Sequence, residues 1–355
     1  MDIVTLAHGS GGVDAATFVR HVFMPYFKDI MPYANEDCGI FASKDNGNYV
    51  TSTDSYTITP IVFSGGNIGK LCVCGSSNDV AMMGGKPLYL NMGFIIEEGF
   101  DISLLKQIAN SIATECKLLD LTILSADTKV LPKITTSQNE KERLLFINTT
   151  CIGSMEKEHI SAKNLKQNDC IILSGKIGNH GAQIFLEQNN IAMTSNIQSD
   201  CASLYPMLSP LLQSNIPIHA MRDATRGGLS SVLNEWAISS YACIDIYEEK
   251  VKIDSEVYGV CEMLGLEPYD LANEGACVIA VPQEYANDAL KILQQHELGK
   301  NAEIIGNVCQ TFMPQDSNLH NIAANTYYQK VVLHTKYGSK RFLEYPQGEL
   351  LPRIC

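Results

Sequence analysis

Short apolar runs alternate with amphipathic stretches along two comparable halves of this chain, and that alternation restricts its fold more than any other feature. A strand asks for a brief apolar or β-branched run, whereas a surface helix asks for apolar residues returning every three or four positions. In the first half, residues 49–53, 88–96, 121–126 and 144–152 show the first pattern and residues 68–83 and 102–116 the second. The second half repeats the scheme, with strands expected at 170–174 and 277–281 and helices near 181–188, 227–239 and 284–295. A polar, lysine-containing connector at 156–169 separates the halves. The expectation is an α/β chain of the α+β type in two domains, residues 1–157 and 158–326. Residues 327–355, punctuated by Tyr, Lys, Gly and Pro without a long apolar period, are expected to form a flexible tail that docks in part and frays at its end.

Composition narrows the function. A length of 355 residues suits two ordinary domains, and 45% hydrophobic against 18% charged residues suffices for a sizeable core. Lys and Arg number 26 against 39 Asp and Glu, and the net charge of −13 opposes binding to nucleic acid or anionic membrane. No stretch approaches the roughly 20 apolar residues of a membrane span, and the start, Met1-Asp2-Ile3-Val4, has no secretory character. A cytoplasmic protein is expected. The 12 cysteines include no CxxC pair, so neither a zinc cage nor a disulfide framework is indicated.

Asp37, Asp54, Asp79 and Asp127 each fall beside an expected strand or helix end, where loops build sites. Taken singly, each reads first as a cap or turn residue, and only their joint placement raises the metal reading. Converging carboxylates would repel one another unless a hard cation neutralised them, and Mg²⁺ on a nucleoside triphosphate is the usual occupant of such an oxygen-rich site. The glycine-rich run His8-Gly9-Ser10-Gly11-Gly12 leads into a helix-like stretch, 14–23, and could wrap phosphate oxygens. Ser174-Gly175-Lys176-Ile177-Gly178-Asn179-His180-Gly181 lacks the Gly-Lys-Ser/Thr ending of a P-loop and reads as a strand-to-helix turn. Arg222-Asp223-Ala224-Thr225-Arg226-Gly227-Gly228 fits either a phosphate or metal grip or a capped turn.

The chain ends Pro352-Arg353-Ile354-Cys355. A cysteine at that position is exposed to oxidation and exchange, unlike a core cysteine, so it is either an accident of sequence or a thiol with work to do.

Together with that ending, the start Ala7 to Gly12, Asn78-Asp79 before Gly84-Gly85-Lys86-Pro87, Asp127-Thr128-Lys129-Val130, Arg222 to Gly228 and Ala272-Asn273-Glu274-Gly275 carry a resemblance. Over essentially its whole length the chain resembles the HypE family of hydrogenase expression/formation proteins, within the PurM-like (aminoimidazole ribonucleotide synthetase) ATP-binding superfamily. The resemblance implies a PurM-like fold with a dimerising N-terminal sheet domain, a C-terminal α/β domain and a tail that carries the terminal thiol. It implies that a carbamoyltransferase, HypF, loads Cys355 with a carbamoyl group, which is dehydrated with ATP to a thiocyanate. The cyano group would then pass to iron held by a HypC–HypD complex, as a ligand of [NiFe]-hydrogenase.

Site roles carry over residue by residue. Asp37, Asp54, Asp79 and Asp127, with Asp223, would hold Mg²⁺; Gly9, Ser10, Gly11 and Gly12, with Asn78 and Thr128, would bind ATP. Cys355 would be the carrier, Lys129 would stabilise developing charge, and Glu274 would take a proton from the carbamoyl nitrogen. His219 is a further catalytic candidate, with a structural role equally open. Ala276 stands where the family pattern leads one to expect a basic residue. Two rivals stay open: a related small-molecule kinase or synthetase, which would leave Cys355 without a task, and a non-enzymatic assembly protein that docks through its tail. From Gly338, the last 18 residues extend roughly 60 Å at most.

Overall fold

The computed structural model describes residues 12–22, 38–42, 47–134, 143–189, 191, 196–312 and 327–347. In the first half a five-stranded sheet runs β1 (Gly39–Ala42), β2 (Asn48–Tyr56), β7 (Leu145–Met155), β5 (Gly85–Glu97), β6 (Thr122–Leu131). Its neighbours are antiparallel except β5 and β6, which are parallel and joined by the crossover helix α3 (Ile102–Leu118). Alternation decides the faces: along β2, Val50, Ser52 and Tyr56 are buried while Thr53 and Ser55, on the other face, are exposed. A short hairpin, β3 (Val62–Phe63) and β4 (Gly66–Asn67), leads into helix α2 (Ile68–Met82). Asn67 caps that helix, its Oδ1 accepting from the amides of Gly69 at 2.9 Å and Lys70 at 3.1 Å.

Helix α2 is buried almost all round, Ser76, Ser77 and Asn78 included, where its pattern suggested an amphipathic surface helix. The reason lies in its position: the first sheet and α3 flank it on one side, β9 (Ala220–Asp223) and α5 (Tyr205–Leu212) on the other. Space is tight enough that a Cβ at Gly75 would collide with the Tyr56 hydroxyl.

The second half forms a seven-stranded sheet, β14 (Lys340–Phe342), β13 (Val331–His334), β10 (Ala242–Tyr247), β12 (Glu303–Thr311), β8 (Cys170–Leu173), β11 (Cys277–Val281), β9. One face, with Ile171, Ile244 and Val278, packs on Leu233 and Trp236 of α6 (Gly228–Ser239). On the other face Ile172, Ile279 and Val281 join α5 and α8 (Ala286–Gln294) in a cluster that also contains Leu71, Val80 and Leu90 of the first half. The two sheets thus share one apolar core. Helices α4 (Asn179–Gln188) and α7 (Ser255–Leu264) build a smaller cluster around Leu186 and Val260. The first described helix is α1 (Gly12–Val22).

Part of the segment expected as a tail, residues 331–334 and 340–342, forms strands. Strand β13 lies parallel to β10, and β14 closes the sheet edge. Beyond it, Leu343 O accepts from Asn234 Nδ2 at 3.0 Å, the Tyr345 hydroxyl donates to Glu235 Oε1 at 3.0 Å, and buried Pro346 accepts from the Val13 amide at 3.1 Å. Val331-Val332-Leu333 is too short a run to stand out by period, and only the waiting edge of β10 makes it a strand.

His180 in α4 is wholly buried, its Nδ1 2.7 Å from Ser199 Oγ and its Nε2 without a partner among the described residues. Burial drives its pKa down to about 3. The unfolded chain protonates this imidazole near 6.5 while the folded one keeps it neutral, so acid favours the unfolded state progressively from pH 6.5 toward 3. Wild type is expected to lose about 2–3 kcal/mol through this group between pH 7 and 4.5. Denaturant titrations of wild type and His180→Gln at both pH values check this, since the variant should show the smaller acid loss; equal losses would exclude His180 as the cause.

Candidate active site

Period-two alternation on β2 aims Ser52, Asp54 and Tyr56 toward α2. The Ser52 hydroxyl donates to Asp79 Oδ2 at 2.5 Å, and the Tyr56 hydroxyl donates to Asp54 Oδ2 at 3.2 Å. Burial above all pushes the Tyr56 pKa well up, with Asp54, Asp79, Cys72 and Glu274 adding to it, so its phenol remains a proton donor. Two of those carboxylates come from the first half and Glu274 from the second.

Asp223 closes β9 opposite Cys277 of β11, and Glu274 lies on the turn just before Cys277. They are 5% and 4% exposed, whereas Asp54 and Asp79 are partly exposed. The cluster is therefore open at its first-half end and closed at its second-half end. Asn273 locks the turn: its Oδ1 accepts from the Gly178 amide at 2.7 Å and its Nδ2 donates to Ala224 O at 2.8 Å and Leu271 O at 3.0 Å. Burial raises the Glu274 pKa well above the ordinary carboxylate range, and Asp223, Asp200, Asp54 and Cys74 push the same way. Asp200 is raised to about 6 by burial, against the amides of Glu274 and Gly275 and the charge of Lys70.

Asn78 bridges the halves. Its Nδ2 donates to Ala202 O at 3.0 Å and its Oδ1 accepts from the Leu204 amide at 2.8 Å, in a site 1% exposed. Its side chain thus joins the two halves at the seam. Asp200 and the bridge around it had no signal in the sequence, being an isolated acid in a polar stretch.

Other expected residues lie elsewhere in the chain. Asp127 sits on edge strand β6 in register with Gly93, Asn148 and Ser55, so it occupies the sheet face away from Asp54 and three strands off, roughly 14 Å. Lys129 Nζ grips it at 2.6 and 2.8 Å and holds its carboxyl below the usual range; both are exposed. Thr128, opposite Phe94, is exposed between them. His219 Nδ1 lies 2.7 Å from Asp169 Oδ2, and the same oxygen accepts from the Lys166 amide at 2.7 Å. His219 also lies at the other end of β9 from Asp223, roughly 13 Å away. This hydrogen bond ties the interdomain connector to the sheet. Gly12, at φ 71°, opens α1. Gly9, Ser10, Gly11, Asp37 and Cys355 lie outside the described residues.

Asp54, Asp79 and Asp223 offer the hard oxygen donors that Mg²⁺ accepts. Among the described residues no three acidic, His or Cys side chains form a ready cage for a metal. A cation held by these three carboxylates would complete its shell with other oxygens, such as phosphate and water. No helix among the described residues is long and apolar enough to cross a membrane.

Two family models match, AIR synthase related protein, N-terminal domain, over residues 35–155, and AIR synthase related protein, C-terminal domain, over residues 166–313. These define a PurM-like fold. The chain is 37% identical to carbamoyl dehydratase HypE of Escherichia coli (strain K12), covering 100% of both chains, and 36% identical to that of Bradyrhizobium diazoefficiens, covering 99% and 96%. It superposes on the HypE chain of a HypE–HypF complex with a TM-score of 0.80 at 37% identity, covering 93% of this chain and 99% of that one. For HypE in complex with ATP the TM-score is 0.78 at 34% identity, covering 99% and 100%. Thiamine monophosphate kinase from Aquifex aeolicus, at 16% identity, TM-score 0.60 and coverage of 81% and 94%, shares the fold alone. The chain belongs to the HypE family of carbamoyl dehydratases, within the AIR synthase related proteins.

Removing the Asn78 amide orphans the Ala202 carbonyl and the Leu204 amide inside the seam. Asn78→Ala is expected to cost about 2–4 kcal/mol in urea denaturation. A loss under about 1 kcal/mol would show that the seam does not depend on this bridge.

Proposed function

We propose that this chain dehydrates a carbamoyl group carried on its own Cys355 to a thiocyanate, with ATP, and so supplies cyanide ligands for the iron of [NiFe]-hydrogenase. The observation that carries the reading is the convergence of Asp54, Asp79, Asp223 and Glu274 from both halves on one seam, in a chain that matches carbamoyl dehydratases over its full length.

The chemistry explains why ATP is needed. The oxygen of an amide is a poor leaving group; transfer of the γ-phosphoryl group to it releases ADP, and loss of both N–H protons then expels phosphate and leaves S–C≡N. Asp54, Asp79 and Asp223 would hold Mg²⁺ on the triphosphate, and by the family resemblance Asp37 would share that role; the ion supplies charge neutralisation when bound. Gly9, Ser10, Gly11 and Gly12 would bring backbone amides to the phosphates, and Thr128 a hydroxyl. Glu274 would take a proton from the carbamoyl nitrogen, a task helped by burial that makes its carboxylate a stronger base. Asn78 supports the same chemistry indirectly, by holding the seam closed to water.

Strand β6 presents an open edge with Ile123, Leu124 and Val130 exposed. Such an edge suits pairing with a second copy of the chain, and in the homodimer we propose, Asp127 and Lys129 would act from the interface. We propose HypF as the carbamoyl donor, a HypC–HypD complex as the acceptor of cyanide, and a cytoplasmic setting. Helix α1, which follows the glycine-rich run, is hydrogen-bonded through Val13 to Pro346, so the segment that ends in Cys355 departs from beside the proposed phosphate loop.

Intact-mass and C-terminal peptide analysis after incubation with the carbamoyltransferase, carbamoyl phosphate and Mg-ATP tests the reading. A carbamoyl adduct on Cys355 that loses one water only when ATP is cleavable is expected; an unmodified Cys355 would favour a docking protein. Cys355→Ala should abolish thiocyanate formation while leaving Mg-ATP affinity, measured by calorimetry, within about twofold.

A further inference from the structure

Asp200 takes no part in the chemistry above, yet it grips the backbone of the proposed base. The Glu274 amide donates to Asp200 Oδ1 and the Gly275 amide to Oδ2, each at 3.1 Å. The Ala202 amide donates to Glu274 O at 3.1 Å, so the backbone on both sides of Glu274 is held by one short segment. A Cβ at position 275 would run into the Asp200 carbonyl oxygen, so the approach requires glycine. The segment is fixed in turn from the first half: Asn78 binds Ala202 and Leu204, and the Ser199 amide donates to Ser64 O at 2.9 Å.

The choice of an acid is informative. Placed near Glu274, a second carboxylate is electrostatically costly, and a neutral side chain would avoid the cost. Only a carboxylate, however, presents two acceptor oxygens to two adjacent amides; an asparagine accepts through one oxygen and sets its NH₂ against the other N–H. We infer that Asp200 is a positioning residue for the dehydration: its two-oxygen grip on the Glu274 and Gly275 amides sets where the Glu274 carboxylate meets the carbamoyl nitrogen, and residues 199–204 tie that position to α2. This rests on the reading of Glu274 as the base.

The test compares Asp200→Asn, Glu274→Gln and the double variant in the full-length protein, carbamoylated at Cys355, by single-turnover phosphate release and by ATP affinity from calorimetry. A misplaced base should slow turnover of Asp200→Asn about 10- to 100-fold while ATP affinity stays within about threefold, and the double variant should be no slower than Glu274→Gln. A merely structural residue would lower rate and affinity together, and that outcome overturns the proposal. Full turnover by Glu274→Gln would instead refute the base assignment itself, whereas a slow Glu274→Gln beside an unimpaired Asp200→Asn would refute only the role of Asp200. If Asp200→Asn does not fold, Asp200→Ser, smaller and still an acceptor, takes its place; failure of both to fold would assign the residue to folding and overturn the proposal.

Discussion

Carboxylates from both halves face one another in the seam, Glu274 and Asp223 buried and Asp54, Asp79 and Asp200 partly exposed; burial raises the pKa of Glu274 and of Asp200, and like-charged neighbours add to the rise at Glu274. Such a cluster is tolerable only if donors are built around it. The chain supplies the Ser52 hydroxyl to Asp79, the Tyr56 hydroxyl to Asp54 and two backbone amides to Asp200. Every one of these donors is fixed by secondary structure or by a locked turn. The negative field left over is what a cation carrying a polyphosphate would neutralise in the proposed reaction.

Holding those donors in place requires that the halves keep one relationship. They do so through a core that neither half completes alone, in which Leu71, Val80 and Leu90 meet Leu208, Ile172 and Ile279. Helix α2 is the shared wall. It is apolar toward both sheets, and it carries Asn78 and Asp79 side by side, one bracing the second half and the other facing the site. Because position along a helix is rigid, the distance between Asp79 and the backbone that carries Glu274 is set by packing rather than by a hinge.

How much of this was legible depended on whether the signal was local. The strands at 48–56, 85–97 and 145–155 and the helices at 68–82 and 102–118 follow from period and composition, each observed end lying within a few residues of its expected one. Asp54, Asp79, Asp223 and Glu274 could be nominated from motifs. Their meeting could not, because it depends on pairing β9 with β11 and on packing α2 between two sheets. Strands β13 and β14 were hidden because a run as short as Val331-Val332-Leu333 becomes a strand only where an edge of β10 awaits it. Asp200 was hidden for the same kind of reason: its partners are backbone amides some 74 and 75 residues away, and backbone amides leave no mark in a sequence.

Docking of the C-terminal segment changes what Cys355 can do. Read as a free tail from Gly338, the chain would let the thiol sweep roughly 60 Å. With Leu343, Tyr345 and Pro346 held against α6 and Val13, the eight residues after Gln347 span roughly 27 Å at full extension. The thiol then serves a sphere centred near the start of α1, just after the glycine-rich run, instead of the surroundings at large. A short tether raises the effective concentration of the thiol at nearby sites and excludes distant ones. In the proposed reaction the carbamoyl donor would come to this surface rather than be visited by a roaming tail; a relative at 37% identity has been solved as a HypE–HypF complex.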